Sequence, residues 1–111
     1  MLEIKQIHQP TYSVVALSGR LDAVTASELD AALQETENSK QNSVILDMAG
    51  VDYVSSAGLR SMLGCTKRQA AKKKKLVICN LTAPVMDIIH MAGFHQIFTL
   101  APSLDVAQTL V

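Results

Sequence analysis

Val44-Ile45-Leu46-Asp47-Met48-Ala49-Gly50-Val51-Asp52-Tyr53-Val54-Ser55-Ser56-Ala57-Gly58-Leu59-Arg60 carries three structural signals in one run. Val44-Ile45-Leu46 is a short unbroken apolar stretch, the pattern of a central strand buried on both faces. Ala49 to Ser55 reads as a loop. From Ser56 to about Lys72 the spacing predicts a helix, with Leu59, Met62, Leu63 and Thr66 on one face.

The flanking segments repeat the alternation. Upstream, residues 2–8 read as a strand, Leu2 and Ile4 alternating with Glu3 and Lys5. A turn at Gln9-Pro10-Thr11 leads to a second strand over 12–18, antiparallel to the first. Gly19-Arg20-Leu21-Asp22 then reads as a loop. Thr25 to about Asn38 is a helix. Thr25 and Glu28 have capping-box spacing, Leu29, Ala32 and Leu33 face inward, and Glu28, Asp30, Glu35 and Glu37 face water. Downstream, Leu76-Val77-Ile78-Cys79 is another buried strand. Pro84 opens a third helix, held by Val85, Ile88 and Ile89 and stopped by Gly93. Gln96 to Leu100 is a short last strand. Ser103 caps a final helix with Leu104, Ala107 and Leu110. The string β-β-α-β-α-β-α-β-α implies right-handed βαβ crossovers. The expected fold is a single α/β domain over residues 1–111, its sheet mostly parallel with an antiparallel N-terminal edge strand.

Composition agrees and narrows function. The 111 residues are 49% hydrophobic and 18% charged, which suits one folded domain rather than disorder. Ten bases balance ten acids, which argues against a surface that tracks a nucleic-acid backbone. Two Cys make no disulfide framework. No signal peptide or spanning stretch is visible, so the expectation is a cytoplasmic chain without membrane insertion. The balance is uneven along the chain. Seven acids and only Lys40 lie between Asp22 and Asp52, whereas seven bases and no acid lie between Arg60 and Lys75. Such asymmetry marks either a partner surface or two helices of opposite outer charge.

In an open α/β sheet, sites gather outside the carboxyl ends of the strands. That rule brings Asp22 near Ser55 and Ser56, at the start of the second helix. A serine there has two uses. Its oxygen can cap an orphan N–H, or it can accept a phosphate favoured by the positive helix end. Two adjacent serines allow both.

Asp52-Tyr53-Val54-Ser55-Ser56-Ala57-Gly58-Leu59-Arg60, preceded by Gly19-Arg20-Leu21-Asp22, resembles the motifs of STAS-domain anti-sigma factor antagonists. Ala83-Pro84-Val85-Met86 through Met91-Ala92-Gly93-Phe94 is similar to theirs as well, so the resemblance spans nearly the whole chain. It implies a STAS fold and a non-catalytic switch. In that family, the unphosphorylated antagonist binds an anti-sigma factor that is also a serine kinase, and the sigma factor is released. The kinase then phosphorylates a serine two residues before the Gly, and a metal-dependent serine phosphatase resets it. The matching position here is Ser56. Many members have Asp just before the acceptor, where this chain has Ser55, so Ser55 stays a rival acceptor. Ala57 stands where Ser or Thr is frequent. The partner face implied is Asp22, Ser55, Ser56, Ala57, Gly58, Leu59 and Arg60, with Met62 at its margin. An alternative within the family is a structural subunit of a sensory assembly or lipid-transport complex.

Other features have plainer uses. Lys72 to Lys75 suit a solvated helix C-terminus, and Cys65 and Cys79 suit core thiols. His90 and His95 lack the i, i+4 spacing of a helical metal pair. Neither a metal nor a cofactor is expected, and no motif supports nucleotide binding. An enzyme would need a base beside Ser55 or Ser56; Asp22 is the only candidate and no triad assembles.

Overall fold

The computed structural model describes residues 1–40 and 42–111. In chain order the elements are β1 (Leu2–His8), β2 (Tyr12–Leu21), α1 (Thr25–Lys40), β3 (Ser43–Val54), α2 (Ser56–Ala71), β4 (Leu76–Cys79), α3 (Ala83–Met91), a 3-10 turn (Phe94–Gln96), β5 (Thr99–Ala101) and α4 (Leu104–Leu110). The expected alternation is therefore present. The sheet order is β1-β2-β3-β4-β5, with β1 antiparallel to β2 and every other pair parallel.

Chain order and strand order coincide, so the right-handed crossovers bring α1, α2 and α3 to the same face. There Val15, Leu17, Leu46 and Ile78 of the strands meet Leu29, Leu33, Met62, Val85 and Ile89 of the helices. The other face is covered only in part. Val14, Ile45, Val77, Cys79 and Ala101 pack beneath Ala107, Leu104 and Leu110 of α4. At the β1 edge of that face, Glu3, Lys5 and Ile7 are exposed.

Several boundaries differ from the sequence pattern. Gly19-Arg20-Leu21 is not a loop but the end of β2, and Ala49 to Val54 is not a loop but the second half of β3. The two extensions pair with each other, Ser18 with Gly50, Gly19 with Val51 and Leu21 with Val54. Register shifts between Ala16 and Ser18 and between Gly19 and Leu21 break the two-residue alternation. Met48, Val51 and Val54 are consequently all buried at three-residue spacing, which hides the strand. Gly19 takes φ +122°, and a Cβ there would strike the Met1 carbonyl. The predicted last strand splits into the 3-10 turn and a shorter β5.

The helix caps and stripes also need correction. The box at the start of α1 joins Asp22 and Thr25, not Thr25 and Glu28. The Asp22 N–H donates to Thr25 Oγ1 at 2.9 Å, and the Thr25 N–H donates to Asp22 Oδ1 at 2.9 Å. The Asp22 carbonyl accepts the first helical bond, from the Ala26 N–H at 2.9 Å. Glu37 does not face water: it is 1% exposed and bonds Arg68 Nε at 2.8 Å. On α2 the inward stripe ends with Cys65 and Gln69, whereas Thr66 is half-buried.

Candidate partner-binding site at two helix starts

The paired extensions of β2 and β3 place the starts of α1 and α2 side by side. The Ser55 N–H donates to the Leu21 carbonyl at 2.8 Å, the last bond between the two strands. Asp22 and Ser56 are thus the next residues of two adjacent chains, each entering a helix. The juxtaposition expected from topology is present.

Ser55 holds the cap of α2. Its backbone is extended, φ −82° and ψ 169°, and its Oγ accepts the Gly58 N–H at 3.2 Å. Its carbonyl accepts the Leu59 N–H at 3.0 Å and starts the helical ladder. This is the N-cap arrangement, and it leaves Ser55 half-buried. Ser56 follows as the first helical residue and is exposed. Among the described residues its hydroxyl has no hydrogen-bond partner within the protein, so it stands free at the positive end of the helix.

Asp22 is engaged as well. Its Oδ1 accepts the N–H groups of Val24 at 3.0 Å and Thr25 at 2.9 Å. The Thr25 N–H bond holds its carboxyl below the ordinary aspartate value. A carboxylate stabilised in this way is a weak proton acceptor, so the only base considered for an enzyme is occupied with capping. Thr25 itself was not among the expected site residues. Its hydroxyl donates to the Arg20 carbonyl at 2.7 Å and ties the helix start to β2.

The remaining predicted residues divide by burial. Arg60 is exposed and Ala57 half-buried. Gly58 and Leu59 turn inward, and Met62 is fully buried. A Cβ on Gly58 would come within 2.7 Å of Leu21 Cγ and 3.1 Å of Val54 Cγ1. Gly58 therefore admits the protein's own core beneath α2, and Met62 has no surface to offer a partner. Ala23, Ala26, Ser27, Ala57, Arg60 and Ser61 line a shallow groove between the first turns of α1 and α2. The Ser61 hydroxyl donates to the Ala26 carbonyl at 3.2 Å and closes its floor. On the opposite side, the Arg20 guanidinium lies 4.2 Å from the centre of the Tyr53 ring.

Behind the site, the uneven charge of the sequence is partly consumed within the protein. Arg68 of α2 bonds Glu37 of α1 through Nε and Nη2 and reaches Asp30 at 4.0 Å. Cys65 lies next to this pair, and burial followed by its hydrogen bond to Glu37 raises its thiol far above the ordinary range. Burial likewise pushes Cys79 up to about 11. Both are core thiols. The His90 and His95 rings stack 4.2 Å apart. Lys72 to Lys75 are exposed at the end of α2. No helix among the described residues is long and apolar enough to cross a membrane.

A sequence profile of the STAS domain matches residues 2–107, and the chain belongs to that family. A protein of Bordetella bronchiseptica named as an anti-sigma factor antagonist, BtrV, is 33% identical over 94 residues, covering 85% of this chain and 81% of that one. An anti-sigma F factor antagonist of Paenibacillus polymyxa is 26% identical over 100 residues, covering 89% of this chain and 86% of that one. The crystal structure of an anti-sigma factor antagonist from Mycobacterium paratuberculosis superposes with a TM-score of 0.88 at 25% identity. It covers 100% of this chain and 94% of that one.

Proposed function

We propose that this STAS domain is an anti-sigma factor antagonist switched by phosphorylation of Ser56. The unmodified protein binds an anti-sigma factor that is also a serine kinase, and so frees a sigma factor. The relatives named as antagonists support the binding role. One observation carries the choice of residue: Ser55 spends its oxygen on the Gly58 N–H, while the neighbouring Ser56 hydroxyl is exposed and free. The surface around it consists of exposed Arg60 and half-buried Asp22, Ser55 and Ala57, with Gly58 and Leu59 supporting from beneath.

The switch is electrostatic. A phosphate adds about −1.5 to −2 charges. At Ser56 that charge would arrive beside the Asp22 carboxylate, inside a surface the partner must desolvate. Like-charge repulsion and the cost of burying the phosphate both oppose association. A metal-dependent serine phosphatase restores the binding form. The cycle belongs in the cytoplasm, where kinase and sigma factor meet.

Titration of the co-purifying kinase with Ser56→Ala and Ser56→Asp tests the mechanism. Ser56→Ala binds within about threefold of the unmodified protein and takes up no phosphate; Ser56→Asp binds at least about tenfold more weakly, ~1.4 kcal/mol. Equal affinity of the two variants overturns the switch. A transporter ATPase as the co-purifying partner would instead indicate a structural STAS subunit.

A further inference from the structure

β1 is a seven-residue edge strand guarded only by the charged side chains of Glu3 and Lys5. It contains no Pro, and its register with β2 runs unbroken from Leu2–Gly19 to His8–Ser13, so no bulge turns it away. The phase of its hydrogen bonds is set at both ends. The Arg20 N–H donates to the Met1 carbonyl at 3.4 Å, and the Gln9 N–H donates to the Tyr12 carbonyl at 2.8 Å. Odd-numbered residues of β1 therefore bond inward to β2. The N–H and C=O groups of Leu2, Ile4, Gln6 and His8 point out at the free edge.

We propose that this edge pairs with the β1 of a second copy, antiparallel and centred on Ile4. Even-numbered residues must face even-numbered residues for the outward groups to bond, which excludes every other register. Of those left with substantial overlap, centring on Glu3 sets Glu3 against Glu3, centring on Lys5 sets Lys5 against Lys5, and centring on Gln6 sets Lys5 against Ile7 and forms no ion pair. Centring on Ile4 sets Glu3 against Lys5 of the other copy twice, about the two-fold axis. These are non-hydrogen-bonded pairs, with Cβ atoms ~4.5–5.5 Å apart. The same register places Ile7, 48% exposed, opposite Met1, 99% exposed, so two large apolar side chains cover each other. About six backbone hydrogen bonds join the copies and make one continuous sheet. The strands of the two copies run in opposite directions, so their Ser56 faces open toward opposite ends of that sheet, and neither is covered.

An edge-only contact of this size is in the weak class, with Kd on the order of 100 μM. Sedimentation of the full chain at several times that concentration reads it directly. The protein is a dimer there, and Glu3→Lys and Lys5→Glu alone each weaken dimerisation about tenfold. An equimolar mixture of the two variants recovers it, because each then meets its opposite charge. Circular dichroism of both variants checks that the fold is intact. Amide exchange provides a second measurement: Ile4 and Gln6 slow as concentration rises. A wild-type chain that stays monomeric overturns the proposal, as does a mixture no tighter than the single variants. Concentration-independent exchange at Ile4 and Gln6 also overturns it.

Discussion

The starts of α1 and α2 lie side by side and use the same device, yet one is closed and the other is left with something to spare. At α1, Asp22 and Thr25 satisfy each other and Thr25 also holds Arg20, so the hydroxyl at that turn is occupied. At α2, Ser55 does the capping alone and the next residue brings a second hydroxyl that the fold does not use. A cap is a structural need, and one serine meets it. The second is available to chemistry because the first has released it from structure.

Three substitutions break or sharpen this contrast. The largest effect is expected at the seat of α2. In Gly58→Ala the new Cβ meets Leu21 and Val54. Overpacking outweighs the better helix propensity of Ala and costs about 1 to 2 kcal/mol net. Chemical denaturation measures it. Next is the cap itself: Ser55→Ala removes the acceptor for the Gly58 N–H and costs ~1 kcal/mol, a drop of roughly 4–5 °C in Tm. Ser56→Ala, with no bond to lose, changes stability by less than about 0.5 kcal/mol.

The smallest effect is at α1 and appears only in acid. The Asp22 carboxyl titrates lower in the folded chain than in the unfolded one. Its contribution is therefore present above the unfolded value and disappears as pH falls through the folded one. Tm measured between about pH 5 and pH 2 should fall more steeply for the wild type than for Asp22→Asn, which keeps a capping oxygen without the charge. Parallel curves would mean that the two helix starts depend equally little on charge.

What the sequence disclosed depended on distance along the chain. The strands with clean patterns, Val44-Ile45-Leu46 and Leu76 to Cys79, and the serine at the start of α2 were legible because the groups that define them are near neighbours. The extension of β3 was hidden by register shifts, since Met48, Val51 and Val54 obey no single period. Glu37 looked solvent-facing because its partner, Arg68, is 31 residues away. The cap of α1 was misplaced by three residues for a subtler reason. Aspartate followed by threonine at capping-box spacing closes the same reciprocal pair of bonds as threonine followed by glutamate, three residues earlier in the chain, and only the geometry distinguishes them. Gly58 carried the family motif in the sequence, while its physical function, admitting Leu21 beneath α2, required the packing.

The strand order has a consequence for how the molecule comes into being. Because β2, β3, β4 and β5 are laid down in space in the order in which they occur in the chain, no strand waits for a later one before it can pair. During synthesis, each crossover helix delivers the next strand to an edge that already exists. Every loop to be closed is local, and the entropy of closure grows only slowly with the length of chain already made. The sheet can be built from the N-terminus outward, with α4 as the last piece, closing the second face after the last strand is in place.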